Sequence, residues 1–297
     1  MRVTLSIFLC ILLLCYQVAH AKTPVVLMTD FGLQDGAVSA MKGVILGVDQ
    51  SSVITDLTHN IEPFNVKEAA YRLQQVMEYY PKGTVFVCVI DPGVGTNRKS
   101  IVAQLNNGYF FVGPDNGILT YVAKTYGVSE VREIDESTNR LTNRNSSYET
   151  FHGRDVYAFT GAKLASDKIT FEEVGKVQNG FVQFKILEAE VKEGYLKGAV
   201  VVLDSVYGNL WTNISIDMAK KAGLEAGQPV LLEIYEASRL VYSAQLNFVK
   251  VFGEVKIKSP LIYINSVGNL AIALNQDNFA KTHKIKSGYL VKLKPLS

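Results

Sequence analysis

Apolar and polar positions follow two rhythms along this chain, and the change falls near residue 190. Val25–Met28 is a short apolar run that predicts a strand ending at Thr29-Asp30-Phe31-Gly32. Gly36 to Val48 then carries apolar residues at helical spacing, and Val53–Leu57 predicts a second strand. From Asn65 to Tyr80, the residues Val66, Ala69, Ala70, Leu73, Val76, Met77 and Tyr80 share one helical face. Asn65 with Glu68 three residues on is a capping-box signature, and Pro81-Lys82-Gly83 ends the helix. Thr84–Ile90 is continuously apolar and of strand length, as expected of a central strand covered on both faces. Strand, helix, strand, helix, strand predicts an α/β N-terminal domain with a largely parallel central sheet.

Ile101–Leu105, Asn106-Asn107-Gly108 and Tyr109–Val112 predict a hairpin, and Ile118–Tyr126 a helix. Asp135–Thr150 is rich in Ser, Thr and Asn and reads as a surface loop leading into a helix after Phe151-His152-Gly153-Arg154-Asp155. Beyond residue 190, Val200–Leu203, Leu210–Ser215, Val230–Tyr235, Leu240–Val251, Leu261–Asn265 and Leu270–Leu274 predict closely spaced strands. Only Asp217–Ala222 reads as helical there. The second domain is therefore β-rich, a small barrel or a sandwich. The expected division is 1–21, then 22–188, then 189–297.

Residues 1–21 have a different character. Arg2 gives a positive start, Leu5 to Cys15 is apolar, and Ala19-His20-Ala21 places small residues where a signal peptidase cuts. An apolar run of 11 residues is too short for a permanent span, so this segment reads as a secretory signal and the protein as exported, periplasmic or secreted. An uncleaved anchor is the alternative. Cleavage removes Arg2 and no acidic residue, lowering the net charge from +2 to +1. With charge near balance and no basic run, nucleic acid is not an expected partner, nor is stable membrane insertion once the signal is gone. Cys10 and Cys15 leave with the signal, so Cys88 stands alone inside an apolar run and reads as a buried, inert thiol.

The polar residues with chemical potential gather after strands. Asp30 follows the first strand and Asp91 the strand Thr84–Ile90; both are followed by glycine, in Asp30-Phe31-Gly32 and Asp91-Pro92-Gly93-Val94-Gly95. Ligands of open α/β sheets bind at the carboxyl ends of strands, and a carboxylate there can hold ribose hydroxyls. Capping of turns explains the same aspartates. The glycine-rich segment lacks the Gly-Lys-Ser/Thr ending of a phosphate loop. His59 and His152 have no histidine or cysteine at metal-ligand spacing, so no metal and no cofactor is expected. In the second domain, Asp204 to Trp211 and Asn265 to Asn269 place amides and hydroxyls at strand ends, where asparagine can pair with an adenine edge.

Taken in order, Thr29-Asp30-Phe31-Gly32, Asp91-Pro92-Gly93-Val94-Gly95-Thr96 with Arg98, Pro114-Asp115-Asn116-Gly117, Phe151-His152-Gly153-Arg154-Asp155 and Gly208-Asn209 make a pattern. It resembles the S-adenosylmethionine hydroxide adenosyltransferases, the SAM hydrolase relatives of the fluorinating and chlorinating enzymes. The resemblance runs from about Val25 to the C-terminus. It implies an α/β domain, a smaller C-terminal β-barrel domain and a homotrimer, with substrate between the N-domain of one subunit and the C-domain of the next. By the same resemblance Asp91, Arg98 and His152 fall on a hydrolytic triad, Asp30 on a ribose-binding carboxylate and Phe64 on an aromatic near the ribose. Asp204 falls on a residue holding the methionine amino group, Asn209 and Trp211 on positions around adenine and substrate, and Ser266 on one that meets the methionine carboxylate. Val267-Gly268-Asn269-Leu270-Ala271 departs from the family's usual aromatic-glycine-tyrosine and leucine-glutamate continuation.

The implied activity is hydrolysis of S-adenosylmethionine by attack of water at C5′, giving adenosine and methionine. A sulfonium leaves as a neutral thioether, so the reaction needs an aligned, activated nucleophile more than an acid. Arginine does not deprotonate, which assigns Arg98 to positioning and to stabilising hydroxide-like charge. Either Asp91 or His152 takes the proton. Two other readings remain: a halogenase with chloride or fluoride as nucleophile, and an exported nucleoside-binding module without catalysis.

Overall fold

The computed structural model describes residues 22–142 and 150–296. The signal reading, with Cys10 and Cys15, lies outside the described residues, as does part of the expected loop at 135–150. The described chain forms two compact units. One takes residues 22–60, 80–114 and 128–179; the other takes 61–79, 115–127 and 180–296.

In the first unit, β1 (Val25–Thr29), β2 (Ile54–Thr58), β3 (Val85–Val89), β4 (Ser100–Leu105), β5 (Phe110–Pro114) and β6 (Val128–Glu133) form one sheet in the order β2-β1-β3-β5-β4-β6. The pairs β1–β2, β1–β3 and β3–β5 are parallel, and β4 runs antiparallel to β5 and β6. Every residue of β1 and β3 is buried, as continuous apolar runs in a central parallel sheet should be. Cys88 is fully buried in β3, and that burial pushes its thiol pKa up, away from nucleophilic use.

The helix Ala37–Val48 begins where expected and buries Val38, Met41 and Ile45. Gly43 lies in its interior with negative φ, and a Cβ there would meet nothing within 4 Å. Gly43→Ala should therefore stabilise the unit by about 0.5–1 kcal/mol by lowering the entropy of the unfolded chain. Denaturant unfolding would register this as a higher midpoint at unchanged slope; a lower midpoint would show that Gly43 is needed for packing.

The expected loop at 135–150 is corrected at its start. Glu136–Asn139 is a short helix whose cap, Asp135, accepts from the Ser137 amide at 3.0 Å. Asn139 is fully buried and donates to the carbonyls of Glu173 (3.2 Å) and Val174 (3.0 Å), while Lys163 donates to its Oδ1 at 2.7 Å. What reads as solvated polarity is partly an internal bracket. The edge strand β6, ahead of it, has no counterpart in the sequence expectation.

The second unit carries a closed barrel. Its strands are β8 (Tyr195–Leu203), β9 (Leu210–Ser215), β10 (Pro229–Glu236), β11 (Arg239–Phe248), β12 (Pro260–Ile264), β13 (Asn269–Leu274) and β14 (Leu290–Pro295), and the short β7 (Glu190–Lys192) hangs on β8. Pairing of β14 with both β10 and β8 closes seven strands into a ring, which selects the barrel over the sandwich. Alternate residues such as Val230, Leu232 and Ile234 point into its core. Three elements there have no counterpart in the sequence expectation: the short β7, β14, and the helix Phe279–His283, capped by Asn278.

The helix Val66–Met77 belongs to this unit and has its predicted cap, with Asn65 Oδ1 accepting from the Glu68 amide at 3.2 Å. The return arm of the box differs. The Glu68 carboxylate turns to the Glu62 amide (3.5 Å) and to Arg72 (3.7 Å), so one acidic side chain ties the entry loop to the first two turns.

Candidate active site

The sheet order places a crevice. From β1 the chain first adds β2 on one side, then returns to place β3 on the other, so β1 and β3 are neighbours at the point where the winding reverses. Thr29 pairs with Val89 in parallel register, so both strands release their chains at the same level. Such a reversal is where open α/β sheets bind ligands. Asp30 leaves β1 there, and Asp91 lies just beyond β3. The Asp91 amide donates to Asp30 Oδ2 at 3.3 Å.

The loop after β3 folds back on itself. Thr96 bonds the Gly93 carbonyl through its amide (3.1 Å) and hydroxyl (2.6 Å), and the Arg98 amide donates to Thr96 Oγ1 at 3.2 Å. Arg98 is thereby returned to the loop's beginning, where Nη1 sits 3.0 Å from Asp91 Oδ2 and also donates to the Asp91 carbonyl. Glycine at 93 is a steric requirement of this arrangement. A Cβ there would lie 2.7 Å from Arg98 Nη1 and 2.9 Å from its Cζ, and φ is +62°. Asp91 itself holds φ +43°, a conformation that aspartate and asparagine tolerate better than most residues. Both partners remain about a third exposed, so the ion pair is accessible to a ligand.

His152 begins a helical segment whose first stretch, Gly153–Ala158, is a π-helix before the α-helix Phe159–Ala165. Its side chain caps no amide; capping is thus not its role. Phe151 packs edge-on against Phe31 with ring centroids 5.8 Å apart, and a Cβ at Gly153 would press on both rings. This aromatic pair fastens the His152 segment to the end of β1. Phe31, Asp35, Pro92, Val94, Phe151 and His152 line a cleft of about 380 Å³. Arg154 and Asp155 pair with each other at 2.6 and 2.8 Å, with Asp155 buried. Glu136 and Arg140, unremarked in the sequence, flank the histidine: Arg140 Nη2 is 3.2 Å from His152 Nε2.

The remaining candidates lie in the second unit. Asp204 Oδ1 accepts from the amides of Val206 (3.1 Å) and Tyr207 (3.2 Å), building the turn between β8 and β9. Gly208 has φ +66°, and a Cβ there would overlap Asn278 Oδ1 at 1.9 Å, so only glycine lets the turn dock on the helix Phe279–His283. Asn209 and Trp211 are buried, and Asn209 lines a cavity of about 800 Å³ with Val206, Tyr207, Phe252, Tyr263 and Asn278. Burial raises the Tyr263 pKa, with Trp211 and Asn209 partly opposing the rise. Arg72 stacks over Trp211 at 5.6 Å and donates to the Leu203 carbonyl at 2.9 Å.

Ser266 is exposed on the turn between β12 and β13, where Asn265 Oδ1 accepts from the Val267 and Asn269 amides. The pairing of β13 with β9 sets Asn269, at the end of this turn, against Ser215, and Ile272 against Leu210, with an irregularity of register between them. Phe64 is 73% exposed with φ +66°. A non-glycine residue in that region costs of order 1–3 kcal/mol. Among the described residues, no group of three His, Cys, Asp or Glu side chains could hold a metal ion, and no helix is long and apolar enough to cross a membrane.

Comparison with known proteins points the same way. Residues 25–175 match the model of the SAM hydroxide adenosyltransferase N-terminal domain, and residues 198–292 that of its C-terminal domain. The (R)-S-adenosyl-L-methionine hydrolase of Methanocaldococcus jannaschii is 36% identical over 261 residues, covering 86% of this chain and 90% of that protein. The same-named enzyme of Salinispora tropica is 32% identical, over 83% of this chain and 88% of the relative. A fluorinase of Actinopolyspora mzabensis is 28% identical, over 93% and 98%. The solved structure of an uncharacterized conserved protein from Thermotoga maritima superposes with a TM-score of 0.84 at 33% identity, covering 91% of this chain and 99% of that one. Two family models covering most of the sequence, together with the ion pair and histidine at the sheet's winding reversal, lead to one conclusion: the chain belongs to the SAM hydroxide adenosyltransferase family.

Proposed function

We propose that this enzyme hydrolyses S-adenosyl-L-methionine, and that the (R)-sulfonium form is its preferred substrate, as the names of its hydrolase relatives suggest. Water oxygen bonds to C5′ as the C5′–S bond breaks. The sulfur keeps that electron pair and leaves in methionine, adenosine forms, and the water's second proton passes to a protein base and then to solvent. The observation that carries this reading is the Asp91–Arg98 ion pair at the β1/β3 crevice, with His152 on the adjoining cleft. A carboxylate and a guanidinium in contact can hold a water between acceptor and donor, excluding competing orientations. The same carboxylate repels a bare halide, which disfavours the fluorinase alternative.

Asp30 serves the ribose in this proposal, and Phe64, Asp204, Asn209, Trp211 and Ser266 complete the substrate's surroundings. Those residues divide between the two units, and the resemblance implies a homotrimer in which neighbouring subunits complete each site; sedimentation should return three times the mass of one chain. Export is also part of the proposal, resting on Leu5 to Cys15 and Ala19-His20-Ala21.

Product analysis tests the reaction. Separate incubations with the (R) and (S) sulfonium epimers should give adenosine and methionine, faster from (R), and activity should survive a chelator. Added chloride or fluoride should yield no 5′-halogenated nucleoside. Intact substrate despite measurable binding would instead establish a binding module, and loss of activity on chelation would overturn the metal-free mechanism.

A further inference from the structure

We infer that Arg140, held by Glu136, is a positioning residue that fixes the tautomer of His152, making the histidine a hydrogen-bond donor and leaving Asp91 as the base. This inference rests on the hydrolytic reading for its catalytic consequence, but not for the tautomer itself.

Arg140 extends from just beyond the short helix Glu136–Asn139, and Glu136 Oε2 accepts from its Nε at 3.0 Å and from its Nη2. Nη2 carries two protons, and the second is directed at His152 Nε2, 3.2 Å away. A guanidinium has donors and no acceptor, so this contact forms only when Nε2 is unprotonated. Glu136 Oε1, at 3.8 Å from Nε2, is too distant to accept a proton from it. The imidazole proton is therefore on Nδ1. That atom is buried and has no hydrogen-bond partner among the described residues. A buried donor left unmet costs about 1–3 kcal/mol, so the arrangement favours a bound oxygen, from water or substrate, that meets it. With its one lone pair already engaged by Arg140, His152 has no site for a proton from the attacking water. Asp91, whose carboxylate faces Arg98, takes that proton.

Glu136 and Arg140 lie four residues apart in a polar segment, where such a pair ordinarily adds a few tenths of a kcal/mol to a helix surface. The third contact, to a histidine on a different element, is what surface helix stabilisation does not explain.

Histidine side-chain ¹⁵N NMR of the wild-type protein without substrate tests the tautomer, with His152 assigned by its absence in His152→Gln. The expected result is a pyridine-like Nε2 and a pyrrole-like Nδ1. Arg140→Met should populate the Nε2–H form and lower kcat on the order of 10–100-fold, with KM changed less than about threefold. Arg140→Lys, which restores a donor, should recover both. A pyrrole-like Nε2 in the wild type overturns the inference without any variant having to fold. So does a folded Arg140→Met variant with unchanged tautomer or unchanged kcat. If the protein proves not to hydrolyse S-adenosylmethionine, the spectrum still reports the tautomer, so the two failures are distinguishable.

Discussion

Asp91→Asn is expected to lower kcat for S-adenosylmethionine hydrolysis by about 10²–10⁴-fold while KM moves less than about threefold. The substitution is chosen for what it preserves. Asparagine has nearly the same shape and tolerates the φ of +43° that this position requires. One of the two Arg98 contacts goes to the Asp91 main-chain carbonyl, so the guanidinium keeps an anchor when the carboxylate is gone. The lost property is the ability to take a proton, a deficit of about 2.7–5.5 kcal/mol in the barrier. A uniform loss of binding would raise KM instead, which separates the base from a mere substrate contact. Initial rates across substrate concentration, with circular dichroism to confirm folding, would decide it. A kcat within threefold of wild type would remove Asp91 from the proton-transfer role.

The parts of this protein that were legible in the sequence are those whose signals are local. The cap of the helix Val66–Met77 needs only Asn65 and Glu68, and β3 declares itself through five consecutive buried residues. The site loop is similar: the glycines of Asp91-Pro92-Gly93-Val94-Gly95 mark a tight return, although only the structure shows that Gly93 is small in order to admit Arg98. Elements fixed by distant partners were silent. The strand β14 has two inward residues, Val291 and Leu293, among lysines, and its place is set by pairing with β8 and β10. The strand β6 fully buries Val131 alone, so as a polar edge it resembles a loop. Glu136 and Arg140 fall inside a stretch that reads as surface loop, because the histidine that Arg140 meets stands 12 residues further along the sequence. The positive φ of exposed Phe64 has no compositional signature at all, since phenylalanine is disfavoured there.

Gly113→Ala is expected to destabilise the first unit strongly, costing about 3 kcal/mol and lowering its unfolding temperature by roughly 6–12 °C. Gly113 lies in β5, between β3 and β4, with no positive φ, so the backbone alone would accept alanine. Space does not. A Cβ would stand 2.3 Å from the Cys88 carbonyl oxygen and 2.9 Å from Phe111 Cζ. A flexible side chain can move aside, but the Cys88 carbonyl is backbone of the sheet's central strand, and its displacement must be shared by β3. Asp91 lies three residues beyond Cys88, so the strain reaches the site from below. Gly108→Ala is the informative control: its φ of +89° makes alanine strained, yet nothing stands within 4 Å of the added carbon. That variant should lose only about 1 kcal/mol and keep its activity, because the hairpin tip between β4 and β5 can adjust without moving β3. If Gly113→Ala unfolds no earlier than Gly108→Ala, the β3–β5 separation is softer than the geometry implies. A Gly113→Ala variant that is both destabilised and slow would show that packing beneath β3 sets the position of Asp91.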